Sequence, residues 1–465
     1  MTQETPAKTA WDTYTPEQLQ TVMTFADNYM QFISEGKTER RVVDQAIALA
    51  RGFGYRDMNE VIFNHETLKA GDKVWFNMMG KAIALVQLGS DPLEQGMNIL
   101  CAHIDSPRLD LKPKPLYEAD GLCLLDTHYY GGIKKYQWTA LPLALYGVIV
   151  LKDGTQMDVA IGDHEDDPVF VVTDLLPHLA AEQMKKPAPE VVEGEDLNVL
   201  FGSIPEKGQE KDAVKANILK LLKDAYGIDE ADFISAELEI VPQGKARTLG
   251  LDKSMVLGYG QDDRSCAYPS LIAQLECGPV KRTAMTILAD KEEIGSVGAT
   301  GMQSRFFENL VAELLHAQGN DSLVALNRTL QNSTALSNDV TAAHDPNYAA
   351  ASSPNGNQAV LGGGFAMGKY TGSRGKSGSN DASAEFVAAL RKIFDDNHVV
   401  WQMSELGKVD LGGGGTIAYL LANYGMQVID GGVALLNMHA PFEVSSKADL
   451  YETKKACLAF LQNME

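Results

Sequence analysis

The chain has 465 residues, with 40 Lys plus Arg against 62 Asp plus Glu and a formal net charge of -22. Such a field repels phosphate backbones, so nucleic acid is excluded as an expected partner. A chain of this length buries about three quarters of its unfolded surface and needs no disulfide or metal staple to fold; any metal is there for chemistry. The five cysteines are scattered, without a Cys-x-x-Cys pair, as expected of a reducing, cytoplasmic setting. The polar start lacks the layout of a signal peptide. The longest apolar stretch, 140–151, contains Pro142 and Gly147 and is too short to span a membrane.

In chain order, residues 17–52 carry apolar positions at mixed three and four spacing, broken by Gly36, which predicts helix on both sides of the glycine. Short apolar runs at 74–78, 82–88 and 97–102 read as strands. From 112 to about 253 the texture changes: strand-like runs at 122–125, 144–151, 169–172 and 238–241 alternate with charged stretches, and one helix is expected over 211–226. We read 113–253 as an inserted β-rich domain, because candidate catalytic residues lie on both sides of it. The catalytic domain is then split into 1–112 and 254–465. Alternation returns after the insertion: strand 255–258, helix 267–276, strand 284–289, helix 306–318, a further apolar run at 323–326, helix 382–394, strands near 426–429 and 432–437, and helix 447–462. This order predicts an α/β fold with a mostly parallel central sheet covered by helices on both faces, and ligands beyond the carboxyl ends of its strands.

His103, Asp262, Glu292, Glu293 and His439 each follow a predicted strand, the position such folds give to one shared site. Neutral imidazoles and hard carboxylates can hold two divalent ions while leaving room for water and substrate. The bland alternatives are a surface histidine, an Asp at a helix N-cap and a solvated acidic turn. Asp105, two residues past His103, is placed to fix the imidazole tautomer. Side chains of adjacent glutamates diverge in extended backbone, so one can bind a metal while the other handles a proton. Asp339, in Ser337-Asn338-Asp339-Val340, is a further carboxylate candidate. No phosphate loop fits Gly375-Lys376-Ser377, because the frame lacks its opening glycine. No Gly-x-Ser-x-Gly frame supports a serine hydrolase either.

The motifs His103-Ile104-Asp105-Ser106-Pro107, Asp262-Asp263-Arg264, Asp290-Lys291-Glu292-Glu293-Ile294-Gly295-Ser296, Ser337-Asn338-Asp339, Asp345-Pro346-Asn347-Tyr348, Lys369-Tyr370-Thr371-Gly372-Ser373-Arg374 and Met438-His439-Ala440 occur in this order. Together they resemble the aspartyl aminopeptidase family, which contains vacuolar aminopeptidase I. The resemblance implies a metal-dependent aminopeptidase acting on peptides, with an inserted dimerisation domain and a tetrahedral homo-oligomer, a dodecamer built from dimers. It implies Asp262 as a bridging ligand, His103 and Asp339 on one ion, Glu293 and His439 on the other, and Glu292 as general base. Zinc is the expected ion, with cobalt or manganese also compatible with such donors. His178 resembles a histidine that reaches a neighbouring subunit's site, and Lys369 a substrate-binding lysine; Arg374 beside it adds a second cation for an acidic substrate group. Family members acting on acidic residues carry histidines where this chain has Ala342 and Asp345, with His344 offset, which leaves a broader specificity open. The wider superfamily often has a cis peptide after its bridging Asp, so Asp262-Asp263 is expected to be cis. A two-metal amidase or deacylase, and a shell protein with a vestigial site, are the other readings.

Overall fold

The computed structural model describes residues 9–353 and 355–465. The chain forms two compact units: Met1–Asp105, Ala246–Met438 and Glu443–Glu465 make the first, and Ser106–Lys245 with His439–Phe442 the second.

The first unit is organised by a nine-stranded sheet. In chain order its strands are β1 (Arg56–Asp57), β2 (Lys73–Met78), β3 (Ala82–Gln87), β4 (Met97–His103), β5 (Thr283–Ala289), β6 (Thr334–Ser337), β7 (Phe365–Gly368), β8 (Trp401–Met403) and β9 (Gln427–Gly432). Their spatial order is β1-β2-β3-β5-β4-β6-β9-β7-β8. The central pairs β5/β4, β4/β6 and β6/β9 are parallel, whereas β3 and β7 join antiparallel to their inner neighbours. Antiparallel pairings thus flank the parallel centre, and the outermost pairs β1/β2 and β7/β8 are parallel again.

Continuous apolar runs in β4 and β5 have a physical reason, since both faces of the sheet are covered. Ile99, Cys101, Met285 and Ile287 pack with Phe307, Leu310 and Leu314 of the helix Phe306–Ala317. The alternate residues Leu100, Ala102, Ala284 and Leu288 pack on the opposite face, against the helices Glu39–Gly52, Gln261–Glu276 and Lys447–Asn463. Thr15 caps the helix Pro16–Glu35, and the chain turns at Gly36 before the helix Glu39–Gly52, the two helices that flank the expected break.

The run 323–326 belongs to the helix Leu323–Asn332, because the Ser322 hydroxyl accepts the N–H groups of Val324 and Ala325 and starts a helix there. Strand β6, only four residues long, carries no extended apolar signature. A smaller sheet in the same unit contains Met255–Gly258 and Ala434–Leu436, so these two strands lie outside the large sheet.

At the last helix, the buried Asp449 carboxylate accepts the N–H groups of Gly362 at 2.9 Å and Gly364 at 2.8 Å. Gly364 has φ +86°, and a Cβ there would lie 2.0 Å from the Val400 carbonyl oxygen, so no side chain fits. All five cysteines are buried and none is in a disulfide, and burial pushes each thiol above its ordinary value.

The second unit is built on a seven-stranded sheet, antiparallel at each pairing. It contains the helix Ala213–Tyr226. Against the 113–253 read from sequence, the unit begins earlier because Arg108–Ala119 pairs with Leu122–Tyr130. It ends earlier because Arg247–Leu249 pairs with Met255–Gly258 of the first unit.

Candidate metal centre

Strands β4, β5 and β6 are neighbours and parallel, so the segments leaving their carboxyl ends emerge side by side. β4 ends on His103; β5 leads through Asp290 and Lys291 to a turn of 3-10 helix, Glu292–Ile294; β6 leads to Asp339. Asp262 follows the strand Met255–Gly258, as expected, but that strand belongs to the smaller sheet. The helix Gln261–Glu276 begins six residues earlier than its periodic pattern, and Asp262 and Asp263 have non-helical φ/ψ within its first turn. Their peptide bond is cis. The buried Glu443 carboxylate accepts the N–H groups of Gln261 at 2.7 Å and Asp262 at 3.0 Å, anchoring this irregular start.

His103 is buried, and its Nδ1 lies 3.0 Å from the Asp105 carbonyl oxygen and 3.3 Å from Asp105 Oδ1. Donation from Nδ1–H to Asp105 leaves the lone pair on Nε2, which faces Asp262 Oδ1 at 3.2 Å. Glu292 Oε2 stands 3.9 Å from the same Nε2. Donor atoms of His103, Asp262 and Glu293 all fall within 4.8 Å of one another, and so do those of His103, Asp263 and Asp339. Asp105 also accepts the backbone N–H groups of Glu292 and Glu293.

A neutral imidazole nitrogen facing a carboxylate oxygen presents two lone pairs to each other, an arrangement that only a cation or a proton between them stabilises. Burial opposes a charged imidazole, yet hydrogen bonds with Asp105 and Asp262 raise the His103 pKa well above its ordinary value. Burial, then the Glu292 carboxylate, pushes Asp339 well above the carboxylate range. Asp263 rises for the same first cause, with Asp339 second. Clustered, desolvated acids of this kind fit a divalent ion, which would remove the mutual repulsion that otherwise forces proton uptake.

Asp263 and Gly432 were not singled out from sequence. Asp263 is fully buried; its Oδ2 accepts the His103 backbone N–H at 3.2 Å, while its Oδ1 has no hydrogen-bond partner among the described residues. Gly432 leaves space behind Asp339, because a Cβ there would lie 2.4 Å from the Asp339 carbonyl oxygen and 2.5 Å from Cys266 Sγ. An acid doubled at a helix start was the available signal for Asp263, and a cap explains that signal equally well.

Other named residues are more dispersed. His439 belongs to the short stretch His439–Phe442 of the second unit, where its Nδ1 lies 2.7 Å from the Gly132 carbonyl oxygen. His178 is exposed in the second unit. Lys369 is partly buried at the end of β7, and Arg374 is exposed with φ +50° in a turn.

A model of the family described as Aminopeptidase I zinc metalloprotease (M18) matches residues 32–461. The chain belongs to the M18 aminopeptidase family. This M18 chain is 58% identical over 461 residues to the probable M18 family aminopeptidase 1 of Clostridium acetobutylicum, covering 98% of each. The crystal structure of an M18 aminopeptidase from Thermotoga maritima matches it with a TM-score of 0.94 and 44% identity, over 99% of this chain and 100% of that one. The structure described as the S. cerevisiae mApe1 dodecamer shares the fold, with a TM-score of 0.74 and 21% identity over 94% of this chain and 95% of that one. The M18 chain is thus a metallo-aminopeptidase, a hydrolase that removes amino acids from peptide N-termini with a divalent metal. Among the described residues no helix is long and apolar enough to cross a membrane.

Proposed function

We propose that this M18 aminopeptidase works with two zinc ions. Asp262 would be shared between them, His103 and Asp339 would hold one ion, and Glu293 with His439 would hold the other. The convergence of His103, Asp262 and Glu293 donor atoms within 4.8 Å carries this reading, together with the facing lone pairs of His103 and Asp262. His439 enters on the family resemblance, and a hydrogen bond from Nδ1–H to the Gly132 carbonyl favours the tautomer with an Nε2 lone pair. When bound, the ions would supply Lewis-acid polarisation of the scissile carbonyl and a more acidic water.

Glu292 accepts the proton of the attacking water and returns it to the leaving amine, so one carboxylate serves as base and then as acid. Asp105 holds the Glu292–Glu293 turn and the His103 ring in register. Lys369 and Arg374 offer positive charge to an acidic substrate side chain, and a broader range of N-terminal residues is compatible with the absence of histidines at 342 and 345. By analogy with the yeast dodecamer the subunits assemble as a dodecamer; the family resemblance makes it tetrahedral and built from dimers, with His178 reaching a neighbouring subunit's site. The five unbridged cysteines support a cytoplasmic setting.

Paired measurement of metal content and peptide turnover tests the assignment. Glu292→Gln is expected to lose at least about 10²-fold in rate, the scale of general base catalysis, with both ions retained, whereas Glu293→Ala loses metal. Undiminished turnover in Glu292→Gln ends the assignment. Light scattering of the native particle tests the assembly.

A further inference from the structure

In a chain of net charge -22, one cavity of the first unit has no acidic residue in its lining. Its volume is about 590 Å³, and His344, Ser352, Ser353, Gln358, Val360 and Lys408 line it along with small residues. Most of the neutral polar groups are already engaged. Ser352 Oγ lies 2.7 Å from His344 Nδ1, Ser353 Oγ donates to Glu405 Oε2 at 3.1 Å, and Gln358 Oε1 accepts the Ser353 N–H at 3.1 Å. The Gln358 amide donates to the Ala342 carbonyl.

The remaining polar capacity is the Lys408 ammonium and the second ring nitrogen of His344, which donates or accepts according to its tautomer. Among the described residues the Lys408 ammonium has no ion pair, and His344 uses only its Nδ1. Acids close by in sequence turn to other partners: Glu405 accepts the Ser353 and Tyr370 hydroxyls, and Asp345 accepts the Asn347 N–H. A concave site whose lining holds an ammonium without an ion pair among the described residues, and an imidazole, favours an anion.

Its place in the chain narrows the class of anion. His344 follows Asp339 by five residues, a stretch that spans at most about 18 Å. An extended peptide advances about 3.3 Å per residue, so a tail of at most about five residues bridges that interval. We propose that this cavity is a subsite for a carboxylate carried by the substrate a few residues beyond the scissile bond, either the C-terminal carboxylate of a short peptide or an acidic side chain of a longer one. The proposal rests on the peptidase reading above and adds a preference on the leaving-peptide side.

Steady-state kinetics on the zinc-loaded enzyme test it with pentapeptides of one sequence ending in a free acid, ending in an amide, or ending in an amide with glutamate at the last position. An aminoacyl anilide serves as a substrate without a tail. Wild type is expected to show a KM about fivefold lower for the free acid than for the amide, the scale of one partly exposed charge pair. The glutamate peptide groups with the acid if side-chain carboxylates are accepted, and with the amide if only chain ends are; both support the subsite. Lys408→Met is expected to bring the acid-to-amide KM ratio to one, and Lys408→Glu to invert it. Equal KM values for acid and amide in wild type, or an unchanged ratio in Lys408→Met, overturn the subsite while leaving peptidase activity intact. Absence of turnover on both anilide and peptides overturns the peptidase reading and the subsite with it.

Discussion

The carboxylate of Asp105 accepts the backbone N–H of Glu292 at 3.1 Å through Oδ1, and its Oδ2 accepts the next N–H, that of Glu293, at 3.2 Å. Because Oδ1 also lies 3.3 Å from His103 Nδ1, one side chain sets both an imidazole and the turn bearing two glutamates. Asp105→Asn retains the shape but turns an NH2 group toward an N–H donor. Charge-assisted hydrogen bonds are worth about 1.5–3 kcal/mol each, so kcat/KM is expected to fall by about 10²-fold, with zinc released more readily on dialysis. Zinc titration and kinetics on the same preparation check this; wild-type values for both would remove Asp105 from the role.

Asp263 gives a second prediction. Its Oδ2 holds the His103 N–H, and it shares a donor cluster with His103 and Asp339. Asp263→Ala is expected to weaken metal binding by about 10- to 100-fold, the range for groups that orient ligands, and Asp263→Glu to restore part of it. Competition with a chromogenic chelator measures the affinity; an unchanged affinity in Asp263→Ala would refute the assignment.

Asp449 links stability to pH. Burial pushes its pKa up to about 8, against the pull of the Gly362 and Gly364 N–H groups. An acid that holds its proton more tightly when folded contributes stability that is full below the unfolded value of about 4 and is lost as pH rises through the native one. Urea midpoints should therefore decline from pH 5 to pH 8 more steeply in wild type than in Asp449→Asn. Parallel slopes for the two proteins would mean that Asp449 is ionised in the native state.

Leu310, fully buried in the helix Phe306–Ala317, reports on the core alone. Leu310→Ala is expected to cost about 2–5 kcal/mol, read as a lower Tm and urea midpoint, with the zinc affinity of the folded enzyme unchanged. A loss below about 1 kcal/mol would mean that the site collapses around the truncated side chain.

Much of the architecture was legible because strands buried on both faces must be apolar throughout: β4 and β5 announce themselves by composition. Strand β6 does not, since Thr334 and Ser337 occupy two of its four positions, so Asp339 follows no apolar run and is read from its motif. The run 323–326 is too short to show a period of its own, and the Ser322 cap decides for helix there. His103 and the two glutamates were legible as ends of strands. Asp262 was found by residue type, yet its true setting, an irregular helix start held by the distant Glu443, could not be read locally. Asp263 was hidden for the same reason: burial of an acid is a tertiary property.

The sequestered thiols have a practical corollary. With no cysteine at the surface, a maleimide reagent has no native target in the folded protein. A single cysteine introduced at an exposed position such as Leu251 would therefore carry a fluorophore at one defined point per chain, without first stripping out the natural sulfhydryls.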